Sequence, residues 1–139
     1  MTDRVTLVRN PLLAQAVEYA YAATVPLASA RAVWTAGACP LDGDGVTVAV
    51  GDYSGQARQV MLNLEEALRG AGATLSDVVK TTVYVASSRQ EDLVQAWQVV
   101  REHMGAHDAP STLLGVAALG YDDQLVEVEA VAVINDFRA

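Results

Sequence analysis

Two glutamates near the end of the chain have the type and spacing for acid–base chemistry. Glu127 and Glu129 lie two residues apart in a segment, LVEVEAVAV, that alternates polar and apolar residues. This alternation predicts a β-strand, and residues two apart on a strand share one face of the sheet. In a half-buried cleft, two neighbouring carboxylates would make one of them an acid or base useful near neutral pH. Alternatively, both face solvent on an edge strand or pair with a basic residue of a neighbouring molecule.

The cysteine and the histidines give weaker chemical signals. Cys39 is the only cysteine, which excludes an internal disulfide and a cysteine-based zinc cluster. Neither histidine has a neighbouring pattern typical of a base for a Cys39 nucleophile, so we expect a small buried residue there. His103 and His107 have the i, i+4 spacing of helical zinc ligands. Gly105 interrupts that helix and no H-E-x-x-H motif completes a site, so we predict no metal.

Length and charge narrow the class of protein and of partner. A chain of 139 residues can bury one continuous core, and we predict a single domain over residues 1–139. Seventeen acidic residues oppose nine basic ones, giving a net charge of −8. Binding to phosphates needs the opposite balance, which argues against a nucleic-acid partner. No apolar run reaches the length of a signal peptide core or a membrane span, so we expect no membrane partner and a cytoplasmic location.

Strands and a tight turn are predicted in the first part of the chain. Residues 5–8 are typical of a short strand, and residues 21–26 and 32–36 of two strands joined near Ser29. Residues 42–45 (DGDG) predict a hairpin turn, because glycine accepts the positive φ that such a turn needs. Further strands are predicted at residues 79–85, 112–119 and 125–134.

Two amphipathic helices are predicted between these strands. The first has a cap at Asp52 or Ser54, glycines at its end, and an apolar stripe formed by Ala57, Val60, Met61, Leu64 and Leu68. The second has a capping box of Ser88 and Glu91, ends at Gly105, and has an apolar stripe formed by Leu93, Ala96, Trp97, Val100 and Met104.

The order of elements predicts an α+β fold, with a mixed sheet of about six strands and two helices on one face. Two helices cannot cover both faces of so wide a sheet. The composition agrees with additional apolar surface, since 52% of the residues are hydrophobic before the ten glycines are counted. An identical subunit is the simplest partner for the uncovered face. Alternatively, the alanines merely inflate the hydrophobic count.

Three segments of the chain carry motifs of one known protein family. Residues 56–85 (QARQVMLNLEEALRGAGATLSDVVKTTVYV) resemble its central helix–strand block, and residues 125–133 resemble its last strand. Residues 35–37 (TAG), followed by Pro40, resemble the SG-x-x-P strand end, with alanine in place of serine. By these motifs the chain resembles the YjgF/YER057c/UK114 family, also called the reactive intermediate deaminase or Rid family, and the resemblance spans nearly the whole chain. It implies the chorismate-mutase-like YjgF fold, a homotrimer with small-molecule clefts between subunits, and hydrolysis of enamines or imines without a metal or cofactor.

The resemblance also implies positions for the site residues. Tyr21 is similar in position to the pocket tyrosine, with Tyr19 as the alternative because of an apparent insertion in the following hairpin. Ala36 and Gly37 match the strand end whose backbone contacts the ligand. Glu127 matches the carboxylate that positions the attacking water.

The sequence departs from the family where a substrate carboxylate would bind. Family deaminases carry an arginine just before Ser-Thr; its place here falls on Pro110 or Ser111, and residues 108–137 contain no lysine or arginine. Trp97 stands where asparagine is common, which would make the pocket bulkier and more apolar. Ser111 and Thr112 offer hydroxyls that could bind a neutral carbonyl or imine, or could serve a turn after Pro110.

Two hypotheses for the function remain. The first is a cofactor-free deaminase of a small neutral enamine or imine, with Glu127 activating water and Tyr21, Gly37 and Ser111 orienting the ligand. The second is a non-catalytic trimer that binds a small molecule in the same clefts. A third, endoribonuclease, is a name given to some relatives and disagrees with the acidic charge. A basic residue of a neighbouring subunit could also replace the missing arginine, the candidates being Arg31, Arg58 and Lys80.

Overall fold

The computed structural model describes residues 5–17 and 19–135, which form one six-stranded sheet with two α-helices. The ends of the predicted domain, at residues 1 and 139, lie outside the described residues. The strands are β1 Thr6–Val8, β2 Ala22–Leu27, β3 Ala30–Thr35, β4 Val78–Ala86, β5 Ser111–Val116 and β6 Val126–Asn135. The helices are α1 Tyr53–Gly70 and α2 Gln90–Met104, with a 3-10 turn at Leu75–Asp77.

The strands lie in the order β1-β2-β3-β6-β4-β5 across the sheet. β4 and β5 are parallel and connected through α2, whereas each other neighbouring pair is antiparallel. Both helices cover the same face, where alternate residues of β6 are buried: Val126, Val128, Ala130 and Ala132. The predicted α+β architecture, with two helices on one face of a mixed sheet, is confirmed.

Helix α1 begins and ends where the sequence predicts. The Asp52 side chain caps it by accepting a hydrogen bond from the Gly55 N–H at 3.0 Å, and Gly72, just beyond its end, has a φ of 88°. All five residues of the predicted stripe are 0% exposed. Burial of such a large apolar side chain stabilises the fold by about 1.5–3 kcal/mol, which holds α1 firmly on the sheet.

Helix α2 ends at the predicted glycine, which has a φ of 62°, but it begins differently. The predicted capping box of Ser88 and Glu91 is wrong, because the N-cap is Arg89 and its side chain makes no capping hydrogen bond. Ser87 orders this start instead. Its hydroxyl accepts from the Arg89 N–H at 2.9 Å and donates to Asp92 at 2.7 Å. The two adjacent serines, Ser87 and Ser88, give the same capping signal in the sequence. The path of the preceding strand decides which of them orders the start of the helix.

A β-bulge near the start of β4 changes which side chains face the helices. The sequence predicts an unbroken alternation from Val79 to Val85. The pairing with β6 shifts register between Val78 and Lys80, so Val78 is 2% exposed and Val79 is 46% exposed. The alternation holds only from Thr81 onward. The prediction for Val79 is wrong because a bulge adds one residue to one strand and reverses the faces before it.

The predicted turn over residues 42–45 is confirmed. Gly45 has a φ of 79°, and Asp42 Oδ1 accepts hydrogen bonds from the N–H groups of Asp44 and Val46 at 2.9 and 3.0 Å. The strand predicted over residues 112–119 is shorter than expected, because β5 ends at Val116 and the chain leaves the sheet in a loop. That loop, residues 117–125, carries several groups of the candidate site.

The sheet face opposite the helices is uncovered in the described part of the chain. Its strand register brings exposed apolar side chains together, with exposed fractions of 70% for Leu7, 45% for Trp34, 42% for Leu114 and 38% for Val133. We call this the open face. Glu127 and Glu129 both lie on the open face, as their spacing predicts.

No helix of the described residues is both long enough and apolar enough to cross a membrane.

Candidate active site

A cavity of about 190 Å³ opens where the end of β3, the start of β6 and the β5–β6 loop meet. Three of the residues predicted from the sequence line it: Ala36, Gly37 and Glu127. Tyr19, Cys39 and Tyr121 complete the lining.

The Glu127 carboxylate is held through one of its two oxygens. Oε1 accepts hydrogen bonds from the Cys39 thiol at 3.2 Å and from Gln124 Nε2 at 3.1 Å. Glu129 has a different partner, since its Oε1 accepts from the Tyr84 hydroxyl at 2.5 Å. That hydrogen bond, with burial and the negative charge, raises the pKa of Tyr84. Glu129 is therefore hydrogen-bonded to Tyr84 on the open face, while Glu127 faces the cavity.

Gly37 lies directly against the second oxygen of Glu127. An isolated β-bridge between Ala38 and Val128 places it there. The Ala38 N–H donates to the Val128 carbonyl at 2.7 Å, and the Val128 N–H donates to the Ala38 carbonyl at 3.1 Å. A β-carbon at position 37 would overlap Glu127 Oε2 and lie 2.6 Å from Cδ. The absence of a side chain at Gly37 is thus what allows the carboxylate to turn into the cavity.

Cys39 is buried, as predicted, and its thiol is a hydrogen-bond donor. Burial first, and then the nearby negative charge of Glu127, raise the pKa of Cys39 from 9.0 to about 12. The thiol therefore remains protonated near neutral pH, which disfavours it as a nucleophile. Its contact with Glu127 joins residues 88 positions apart, and nothing in the local sequence indicated it.

Two tyrosine hydroxyls meet at the cavity. The hydroxyls of Tyr19 and Tyr121 lie 3.0 Å apart, and burial, with this hydrogen bond, raises the pKa of Tyr19. Tyr21 lies behind them, since its buried hydroxyl donates to the Ala14 carbonyl at 2.7 Å and its ring meets that of Tyr19 edge-on. The structure thus places Tyr19, the alternative from the sequence, beside Glu127 in place of Tyr21. The sequence alone does not assign Tyr121 to the core, to an interface or to a pocket, and the structure places it in the lining of this cavity.

The remaining predicted site residues lie elsewhere in the chain. Trp97 and Ser111 line a separate cavity of about 180 Å³ between α2 and the β4–β5 edge. Ser111 Oγ accepts a hydrogen bond from the Thr81 hydroxyl at 2.7 Å on the helix side of the sheet. Thr112 lies on the open face, where its hydroxyl accepts from Lys80 Nζ at 2.6 Å. One chain alone does not bring these residues together with Glu127.

The histidines are engaged with backbone carbonyls. His107 Nε2 lies 2.7 Å from the Val78 carbonyl and so carries the proton in that contact, while His103 Nδ1 lies 3.4 Å from the Val99 carbonyl. Over residues 5–17 and 19–135, no group of three histidine, cysteine, aspartate or glutamate side chains is placed to hold a metal ion.

Comparison with known proteins decides the family. The model of the family described as endoribonuclease L-PSP matches residues 13–134. The chain belongs to this family. It is the YjgF/RutC/Rid family, so the resemblance found in the sequence is confirmed.

Relatives of the chain include proteins named as imine deaminases. The chain is 37% identical over 103 residues to 2-iminobutanoate/2-iminopropanoate deaminase of Salmonella typhimurium, covering 73% of this chain and 78% of that protein. It is 33% identical over 100 residues to a RutC family protein of Pyrococcus horikoshii, covering 72% and 77%.

Solved structures of the family share the fold. Yeast Mmf1 matches with a TM-score of 0.81 and 26% identity, over 94% of this chain and 99% of that one. E. coli TdcF with bound serine matches with a TM-score of 0.73 and 26% identity, over 92% and 98%.

Proposed function

We propose that this Rid-family protein is a cytoplasmic, cofactor-free deaminase that hydrolyses a small neutral imine or enamine in clefts between the subunits of a homotrimer. The observation that carries the proposal is the Glu127 carboxylate, which has one oxygen held by Gln124 and Cys39 and the other beside the cavity. The kinship with imine deaminases supports the same class of reaction.

The groups around the cavity match the needs of imine hydrolysis. Glu127 takes a proton from water as the water oxygen adds to the imine carbon, and this proton is passed on to the nitrogen as the C=N π bond breaks. The resulting carbinolamine then loses ammonia and leaves a ketone or aldehyde. An enamine first accepts a proton on carbon and loses one from nitrogen to become the imine. The paired hydroxyls of Tyr19 and Tyr121 supply a hydrogen bond to the nitrogen.

A neutral substrate fits the charges of the site. Among the described residues, no lysine or arginine lines the cavity that contains Glu127. A buried carboxylate without a partner costs several kcal/mol, and an arginine that grips it with two hydrogen bonds is the usual answer. On the open face, the ammonium group of Lys80 already donates to Thr112.

Substrates with a carboxylate should therefore be poor. We expect 2-aminoacrylate generated in situ to be hydrolysed no faster with the protein than in buffer, because its carboxylate finds no cation. A neutral imine, generated by an amine oxidase from a small primary amine, should be hydrolysed faster with the protein. Semicarbazide captures the imine that remains and reports both rates.

The matched variants for this comparison are Ser111→Arg and Lys80→Met. Ser111→Arg places a cation at one of the two candidate positions of the family arginine, Pro110 and Ser111, so it should improve hydrolysis of 2-aminoacrylate without improving that of the neutral imine. A clear acceleration of 2-aminoacrylate by the unmodified protein would contradict the proposed specificity. If Lys80→Met removed that acceleration, the lysine would be the replacement cation.

The open face supports the proposed trimer. Exposed apolar side chains on several strands are typical of a surface that another subunit covers. A trimer would also allow Trp97 and Ser111 of one subunit to approach the Glu127 cavity of its neighbour, which one chain alone does not achieve.

We expect light scattering to give three times the chain mass of 14.7 kDa. Leu114→Asp should dissociate the assembly, because it places a charge on the open face. Leu62→Asp is the matched control: Leu62 is 51% exposed on α1, away from that face. A monomeric unmodified protein, or equal effects of the two variants, would refute assembly through the open face.

The alternative is a trimer that binds a small neutral ligand without turning it over. It predicts that small ketones or amides bind saturably and that a larger side chain introduced into the cavity abolishes this binding. It also predicts that the protein does not accelerate imine hydrolysis. Endoribonuclease activity has no support from the charge of −8, since RNA phosphates would be repelled.

A further inference from the structure

Gln124 connects the two halves of the candidate site. It is 4% exposed, shortly before β6, and both sides of its amide are used. Nε2 donates to Glu127 Oε1 at 3.1 Å and to the Val126 carbonyl at 3.1 Å. Oε1 of the amide accepts from the Tyr121 N–H at 3.1 Å. One buried amide thus contacts the carboxylate and the backbone of the tyrosine that line the same cavity.

We infer that Gln124 is a positioning residue for Glu127 and, through the β5–β6 loop, for Tyr121. The inference rests on the proposed function. By holding Oε1, Gln124 leaves Oε2 as the oxygen that faces the cavity beside Gly37 and accepts the proton from water. Because the same amide holds the Tyr121 N–H, the distance between the base and the hydroxyl pair is fixed by one side chain.

The chemistry of an amide explains why this position needs glutamine. Two N–H donors and one acceptor are required, and glutamine supplies them without a charge. Glutamate at this position would accept from the Tyr121 N–H but, when ionised, would offer no donor to Glu127 and would repel it. Methionine has a similar length and offers none of the three hydrogen bonds.

The chain contains a matched control in Gln56. Its side chain is also fully buried and also holds the β5–β6 loop, donating to the Asp123 carbonyl at 2.8 Å and accepting from the Leu125 N–H at 2.7 Å. Gln56 makes no hydrogen bond to Glu127. Gln56→Met therefore removes comparable hydrogen bonds to the same loop and leaves the Glu127 carboxylate with its donors.

The experiment compares Gln124→Met, Gln124→Glu and Gln56→Met in the full chain. With a neutral imine, we expect Gln124→Met to lower kcat by about 10- to 100-fold with little change in KM, as a misplaced base does. Gln56→Met should keep kcat within a few-fold while lowering the melting temperature by a similar amount. Equal kcat losses in the two methionine variants would overturn the inference.

The pH profile of Gln124→Glu provides a readout that a merely structural role would not move. The titratable groups that face Glu127 are Tyr19, Cys39, Tyr84 and Tyr121, with Glu129 two residues along the strand. The new carboxyl should block activity near neutral pH and restore part of it as the pH falls, because its protonated form donates to Glu127 again. A profile parallel to that of the unmodified protein would contradict positioning.

Crystal structures of the two methionine variants separate this inference from the proposed function. We expect the Glu127 carboxylate to move away from Gly37 in Gln124→Met and to stay beside it in Gln56→Met. If the unmodified protein hydrolyses no imine but Glu127 moves in this way, the positioning holds and the proposed function fails. If Glu127 stays in place in both variants, the positioning fails whatever the activity.

Discussion

We expect Glu127→Gln to lower kcat for hydrolysis of a neutral imine by about 10²–10⁴-fold, the contribution of a well-positioned acid or base. Glutamine keeps the size of the side chain and can still occupy the position beside Gly37. It cannot take a proton from water, so the water is no longer activated. Steady-state release of ketone or ammonia measures the loss, and the melting temperature checks that the variant remains folded.

Glu129→Gln is the control for this result. Glu129 lies two residues along the same strand and accepts a hydrogen bond from Tyr84 rather than facing the cavity. Its replacement removes the same charge from the same strand, so kcat should remain within a few-fold of the unmodified protein. Comparable losses in the two variants would show that the charge of the open face matters, and not a specific base.

Gly37→Ala should have the second large effect. The added β-carbon overlaps Glu127 Oε2, so the carboxylate must move out of the position in which it faces the cavity. We expect kcat to fall by about 100-fold or more, since a misplacement of about 1 Å can cost that much. Steady-state kinetics with the neutral imine, together with a crystal structure, test whether the loss follows the displacement.

The backbone at Gly37 does not complicate this test. Its φ lies outside the left-handed region, so alanine meets a clash with Glu127 and no conformational strain. Gly43→Ala is the control, because no atom lies within 4 Å of a β-carbon added there. Full activity in Gly37→Ala would mean that Oε2 is not the oxygen that reacts.

Local periodicity in the sequence was sufficient to predict the architecture. The apolar stripe of α1 and the alternation of β6 each describe one buried face, and removal of apolar surface from water is the dominant force that packs an element onto its neighbours. The errors came where a single residue changes the register. The N-cap of α2 is Arg89 rather than the predicted Ser88, and the bulge at Val79 reversed the faces before it. Hydrophobic pattern does not encode such shifts.

The sequence by itself determined the two-helix sheet, because hydrophobic pattern and chain order specify it, and the resemblance of its motifs to a known family indicated the family and pointed to Gly37 and Glu127. Only the tertiary structure decided which groups meet there. The Cys39–Glu127 and Tyr19–Tyr121 contacts join residues 88 and 102 positions apart. A hydrogen bond requires two atoms within about 3 Å, and that distance is set by strand order and loop path rather than by either residue's neighbours.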